Sequence, residues 1–471
     1  MLRTTTFIGT ILVTAVLGAG VARSRFQAPA IRTVEEQALR EYAGVYRWGP
    51  DAFVYLQLWH EFTGFGKPGQ LVSFDESGAI RVLYPTDRDR FFAGPGAAVP
   101  TAVESRIEFQ RDASGRITSL TWTPEGGAPR SAPRVDVEKH EDVRFASGDV
   151  QLAGTLITPA GVRPGSDPGL TPPSARAGKY PAIILVHGSG AENREFILPF
   201  ARFLVRRGMA VLGYDKRGAG GSTGDWQTAS FDVLAGDAVA AFEYLKTRPD
   251  IDATQIGLLG VSQAGWVMPI AAVRAKDLAF LISISGAGVA PSETTLDQAQ
   301  NEMTASGMKP DTVAMIVSLM KLQYRFAHTG EGWAEYLAAR EKLASRMGRP
   351  PDTFPGTPDH PYWQSLKLLY FHDPAPTLRQ LRTPVLAIFG ALDNNILAEK
   401  NRAAWDAALQ AGGHRDYTLA VLARANHYQW EAKVGNNAEM PSLQRFVPEY
   451  MPTIQDWLAT RVRGFAATAA R

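Results

Sequence analysis

The sequence predicts an α/β protein: a doubly wound, mainly parallel sheet carrying a helical cap, preceded by a small antiparallel β domain. Three observations carry that reading. From about Val143 onward, short runs rich in Val, Ile and Leu alternate with stretches of helical periodicity. Between Val289 and Arg382 the alternation stops, leaving helical patches and proline breaks without a strand. Ahead of both, residues 31–140 alternate apolar with polar positions between turn residues, the pattern of half-buried antiparallel strands.

Taken in order, residues 1–30 are expected to form a signal peptide or an N-terminal anchor. Arg3 supplies positive charge, and Phe7 to Ala22 runs for 16 residues without a charged side chain. Small residues follow at Gly20/Ala22 and Ala28/Ala30, where a signal is cut. The run is short of the roughly 20 residues that span a bilayer. The expectation is therefore export, periplasmic or extracellular, after cleavage. The alternative is an anchor through residues 7–22, and any membrane association would pass through that segment alone.

The second region, 31–140, reads as a sheet or barrel. Its strands are "AGVYRW", "FVYLQLWHEF", "LVSFDESGAIRVLYP" and "SRIEFQRDASGRITSLTWTP", with Glu76-Ser77-Gly78 and Ala113-Ser114-Gly115 as turns. Helical periodicity is confined to Val34–Tyr42. The stretches "LREYAGVY" and "IEFQRDASGRITSL" resemble lipocalin-like domains appended to some secreted serine hydrolases, which implies an accessory role.

The third region, 141–471, opens with the hairpin "VRFASGDVQLAGTLITP" and a Pro/Gly-rich loop from Ala160 to Lys179. The strands that follow are "PAIILVHG", "GMAVLGYDKRG", "QIGLLGVSQ", "AFLISISG", "PVLAIFGALD" and "YTLAVLARANH". Uninterrupted apolar runs are what strands covered by helices on both faces require. The strandless insertion, about 289–382, is long for such a fold and reads as a functional lid.

Composition narrows the function. Hydrophobic residues at 45% and charged residues at 20% exclude a largely disordered chain. Forty-nine basic against 47 acidic side chains, without a long basic run, argue against nucleic acid. The absence of cysteine excludes disulfides, thiolate catalysis and cysteine-based metal sites. No His-x-x-x-His pattern appears, and "YDKRGAGGSTG" lacks P-loop spacing, so neither a metal nor a nucleotide cofactor is expected.

The stretch "GLLGVSQAGWVMP" places Ser262 where an apolar strand runs into a helix. A serine hydroxyl needs a base, an exposed backbone position and donors for the developing oxyanion. A strand-to-helix turn supplies the last two, with the backbone N–H of Gln263 at a helix N-terminus. Gly260 suits the close approach of strand and helix. Ala264 stands where a second glycine is usual, with Gly265 one place later. The glycine-rich turn that ends "ILVHGSG" offers a second oxyanion donor, the backbone N–H of Ser189, while His187 in the same turn reads as structural.

Asp393 in "FGALDNN" and His427 in "RANHYQW" each follow a buried strand. Functional groups in such sheets gather at the carboxyl ends of strands. The order Ser262, Asp393, His427 is that of a nucleophile, an acid and a base. His60, His140, His328, His360, His372 and His414, with Glu399 and Asp416, fit that position less well.

Here the segments "LAGTLITP", "VHGSG", "YDKRGAGGSTG", "GLLGVSQAGW", "TPVLAIFGALDNN" and "RANH" resemble the α/β-hydrolase superfamily, in particular secreted bacterial esterases related to dienelactone hydrolase and prolyl-oligopeptidase catalytic domains. The resemblance implies Ser262 as nucleophile, Asp393 as acid, His427 as base, and the backbone of Gln263 and Ser189 as oxyanion donors. It implies loop-organising roles for Asp215 and Arg217. The expected activity is cleavage of a small-molecule carboxylic ester through an acyl-enzyme. A peptidase or acyltransferase with the same triad stays open, as does a binding protein on a hydrolase fold. Tyr324, Phe326, Trp333, Tyr336 and Trp363 in the cap read as its own core, with an apolar acyl pocket as the alternative.

Overall fold

The structure is a computed structural model that describes residues 29–50, 52–59, 61, 69–160, 179–196, 198–348 and 354–465. The expected signal segment, apart from residues 29 and 30, lies outside them, as do His60 and nearly all of the Pro/Gly-rich loop. The described residues fall into two compact units, one over Val289–Asp373 and one over the rest.

Eight antiparallel strands come first: β1 (Gly44–Gly49), β2 (Ala52–Leu58), β3 (Leu71–Asp75), β4 (Ile80–Asp87), β5 (Arg90–Ala93), β6 (Ser105–Arg111), β7 (Ile117–Pro124) and β8 (Arg130–Val135). Each pairs with the next, and β8 pairs back onto β1, which closes a barrel and leaves no unpaired edge. Two of its turns repeat one device. Asp75 and Asp112 each accept backbone N–H groups two and four residues on, which sets the tight reversals read from the sequence.

Tyr46, Leu56, Leu83, Phe91, Ile107, Phe109 and Leu120 fill the barrel. Strand β6 alternates buried with exposed positions and β7 and β8 are buried at few positions, but β2 to β5 are buried on both faces. Their outward residues Phe53, Tyr55, Val72, Phe74, Val82 and Phe92 belong to the same core as the sheet that follows. Phe203, from the helix Leu198–Arg206, sets its ring 5.2 Å from Tyr55 and 5.9 Å from Phe74. The barrel keeps an interior core of its own, but the outer face of β2–β5 joins the core of the sheet, and the boundary expected at residue 140 falls within a strand.

The second sheet contains β9 (Glu138–Ser147), β10 (Val150–Pro159), β11 (Tyr180–Val186), β12 (Ala210–Tyr214), β13 (Ile251–Val261), β14 (Phe280–Ile284), β15 (Val385–Gly390) and β16 (Tyr417–Leu422), in the order β16-β15-β14-β13-β11-β12-β10-β9. The β9–β10 hairpin and the β10–β12 pair are antiparallel, and all other pairs are parallel. This is the doubly wound α/β-hydrolase sheet that the sequence predicts. The chain runs from β11 outward to β12, then returns to the other side of β11 as β13. That reversal is the switch point where such sheets open a crevice at their strand ends.

The unit Val289–Asp373 consists of the helices Pro291–Ala305, Pro310–Thr329, Trp333–Met347 and Tyr362–Leu369. The expected cap extends nine residues further, to Arg382, but the helix Ala375–Gln380 packs against Ala398–Ala411 and groups with the sheet. Tyr324, Tyr336 and Trp363 are buried in the unit's own core, and Phe326 and Trp333 pack onto it with rings 4.9 Å apart. The structure thus favours the core reading of these aromatics.

Candidate active site

Ser262 follows β13 directly and has φ = 58°, a left-handed conformation that a serine adopts only where its surroundings impose it. Its N–H donates to the Ile284 carbonyl at 2.9 Å, and its carbonyl accepts from Gly265 at 2.9 Å. The helix Ala264–Arg274 begins immediately after Gln263, which caps it. A methyl added at Gly260 would lie 2.4 Å from the Ala264 Cβ and 2.8 Å from the Val186 carbonyl oxygen. One added at Gly265 would lie 2.5 Å from the Gly286 Cα. The departure from the usual glycine spacing is thereby explained. Ala264 fills the space that Gly260 leaves, and Gly265 clears the path of the loop after β14.

Asp393 and His427 follow β15 and β16. Asp393 Oδ1 accepts the N–H groups of Asn395 and Ile396, both at 2.8 Å, and Oδ2 lies 2.8 Å from His427 Nδ1. Both side chains are almost wholly buried, whereas Ser262 is partly exposed. Their loops meet because Gly390 has no side chain: a Cβ there would lie 2.4 Å from the Ala425 carbonyl oxygen and 2.6 Å from that of Asn426. The carbonyl of His427 accepts from the Ser285 hydroxyl at 2.8 Å, and the Gln429 amide donates to that hydroxyl at 2.9 Å. Ser285 follows β14, the strand between β13 and β15. The structure therefore brings Asp393 and His427 into direct contact. It links them to the Ser262 elbow through the end of β14.

Ser189 is exposed in the turn after β11. Next to it, Gly188 is held on both sides. Its N–H donates to Glu192 Oε2 at 2.7 Å, and its carbonyl accepts from Lys216 Nζ at 2.7 Å. Lys216 also donates to Gln263 Oε1 at 2.8 Å. Burial pushes the Lys216 ammonium pKa down and the Glu192 carboxyl pKa up, each partly offset by the other's charge. Sequence reasoning did not single out Glu192, Lys216, Ser285 or Gln429. The available signal was a lysine just past a buried strand in "YDKRG", the position where functional groups collect.

Its neighbours in that motif are structural. Asp215 accepts from the Arg194 side chain and backbone and from the Gly221 N–H. Although burial opposes it, these bonds hold its carboxyl below the usual range. Arg217 forms a two-pronged pair with the buried Asp237. His187 pairs through Nε2 with the Tyr214 carbonyl, and burial, with the Lys216 charge, pushes its pKa down to about 3. His414 Nε2 bonds the Thr383 carbonyl at 2.9 Å, and His140 lies 3.3 Å from Glu138. Among the described residues, no group of three His, Asp or Glu side chains gathers as metal ligands would.

The model of the X-Pro dipeptidyl-peptidase (S15) family matches residues 130–429, from β8 to just past His427. The chain belongs to the S15 family. That family match and the strand order agree with the α/β-hydrolase superfamily that the sequence resemblance implies. A curated relative of this S15-family chain is Esterase EstD of Thermotoga maritima, 27% identical over 258 residues, which are 53% of this chain and 55% of EstD. The match thus spans about half the length of that relative. An uncharacterized 31.7 kDa protein of Escherichia coli is 25% identical over the same length and is 84% covered. Among solved structures, the esterase Pf2001 of Pyrococcus furiosus is similar at 15% identity and a TM-score of 0.42, covering 69% of this chain and 91% of that one. Est1E of Butyrivibrio proteoclasticus is similar at 15% identity and a TM-score of 0.42, covering 68% and 99%.

Proposed function

We propose that this protein cleaves carboxylic esters through an acyl-enzyme, with Ser262 as nucleophile, His427 as base and Asp393 as its orienting acid. The observation that carries the reading is the Asp393–His427 hydrogen bond, at the same sheet end as a serine held in a left-handed elbow. Because Asp393 Oδ2 accepts the Nδ1–H, the His427 Nε2 is left as the basic nitrogen. It takes the Ser262 proton as Oγ attacks the carbonyl carbon. The oxyanion is received by the backbone N–H groups of Gln263 and Ser189, and a donor of this kind contributes about 3–4 kcal/mol in the transition state. His427 then protonates the departing alcohol, and water, activated the same way, releases the acid.

The N-terminal charge-free run supports export, either with cleavage or as an anchor, and the mass of the mature chain distinguishes the two. A peptidase reading is favoured by the family's own description, since the same groups serve an amide leaving group. The name of the relative EstD favours esters.

The test is labelling of the full chain by a fluorophosphonate, beside Ser262→Ala. Labelling confined to the wild type is expected, and equal labelling of both, or none of either, would overturn the proposal. A panel of p-nitrophenyl esters and X-Pro anilides then reads the leaving group. Turnover of anilides alone would replace esterase by peptidase.

A further inference from the structure

We propose that Lys216 is a positioning residue of the oxyanion site, one ammonium group that fixes both donor-bearing segments. The inference rests on the reading of Ser262 as nucleophile. It starts from where the two Lys216 hydrogen bonds go. One ends on the Gly188 carbonyl at 2.7 Å, the other on the side-chain oxygen of Gln263 at 2.8 Å.

The Gly188 carbonyl and the Ser189 N–H are two ends of a single peptide plane. In a trans peptide they point in opposite directions, so holding the oxygen also fixes the direction of the N–H. A charged donor on the oxygen further polarises the group, which makes its N–H a stronger donor. The preceding plane is fixed as well, since the Gly188 N–H is held by Glu192 at 2.7 Å. Without these two bonds a glycine turn would sample many orientations at an entropic cost to each turnover.

The second bond does the same for the other donor. Gln263 follows the nucleophile and caps the helix Ala264–Arg274. Its side chain, 8% exposed, is tied by Lys216 to the turn across from it. One buried cation therefore sets the spacing between the segments that carry the Ser189 and Gln263 N–H groups. Lys216 is only 3% exposed, and a charge that deep is retained at a desolvation cost. The Glu192 and Asp237 carboxylates offset it, and the Trp226 ring lies 5.7 Å from Nζ. A buried Lys216 beside a half-buried Glu192 suits a fixed electrostatic frame, which needs little reorganisation as charge develops.

The experiment compares the full-length wild type with Glu192→Gln/Lys216→Met and with Gln263→Ala. The paired variant removes both buried charges and keeps an acceptor for the Gly188 N–H, so no unpaired carboxylate confuses the result. Gln263→Ala keeps its backbone N–H and loses only the anchor. Readouts are the fluorophosphonate labelling rate at Ser262, kcat and KM on a p-nitrophenyl ester, and thermal melting.

The paired variant is expected to lose about 10–100-fold in kcat and in labelling rate, with KM within about twofold. Gln263→Ala is expected to lose a smaller factor in the same two quantities. A folded paired variant that labels and turns over like the wild type would reduce Lys216 to a structural role. If that variant does not fold, unchanged kcat and labelling in Gln263→Ala overturn the proposal instead. Failure of the wild type to label at Ser262 overturns the nucleophile reading, and this inference with it.

Discussion

At Asp393 both carboxylate oxygens are committed, one to two backbone N–H groups and the other to His427. An Asp393→Asn side chain would offer an amide of nearly the same shape, so the loop should keep its fold. The amide nitrogen cannot accept the Nδ1–H, which removes the constraint on the imidazole tautomer. We expect kcat on a p-nitrophenyl ester to fall about 10³–10⁴-fold while KM changes little, read from steady-state kinetics. A loss below tenfold would mean that Asp393 does not orient the base. Ala264 teaches a second lesson at this scale. What looks like a broken motif is a methyl group placed in the gap beside Gly260, at the smallest possible change in volume.

Elements act through the ends of strands. β11 and β12 are parallel neighbours, and His187 just beyond β11 reaches across to the Tyr214 carbonyl at the end of β12. Burial keeps this imidazole neutral, with a pKa of about 3 against an ordinary value near 6.5 in the unfolded chain. Between those values the unfolded chain binds the proton and the folded one does not. Stability from this group is therefore fully present above about pH 6.5 and declines as pH falls toward 3. The slope is about 1.4 kcal/mol per pH unit. Melting temperature should drop through that window, and His187→Gln should flatten the drop. An equally steep pH dependence in the variant would assign it to other groups. A similar economy governs the turn around His427. Asn426 accepts from Tyr428 and Trp430 through its side chain, and its own N–H donates to the Trp430 carbonyl. His427 thus sits inside a closed loop.

At the scale of the chain, the barrel is a wall of the second sheet's core rather than an appendage. Trp430, three residues past His427, packs its ring 6.3 Å from Trp59 of the barrel region. The chain beyond it, Pro441–Phe446, is hydrogen-bonded to residues 78, 80, 97 and 98. The turn that holds His427 is therefore braced by the barrel. Phe203→Ala would open a cavity between Tyr55, Phe74 and the helix Leu198–Arg206, at a cost of about 3–5 kcal/mol. Because barrel and sheet share that core, both should unfold at the same lowered denaturant midpoint. Tryptophan fluorescence and far-UV circular dichroism would follow the two. Separate midpoints would show that they fold independently.

The sequence by itself determined the strands of the sheet, their doubly wound class, the helical insertion and the order Ser262, Asp393, His427. These were legible because they are local. An apolar run long enough to be buried on both faces, or a glycine two places before a serine, needs no knowledge of distant residues. Closure of the barrel by β1 and β8 and its fusion with the sheet core were decided only in three dimensions. So were the meeting of Lys216 with Gly188 and Gln263, and the Ser285 bond to the His427 loop. Each depends on side chains far apart in the chain that become neighbours once the strands are ordered. In "YDKRG" the sequence shows only that the lysine lies just past a buried strand. Its burial, and the two oxygens it finds there, depend on contacts that no local pattern encodes.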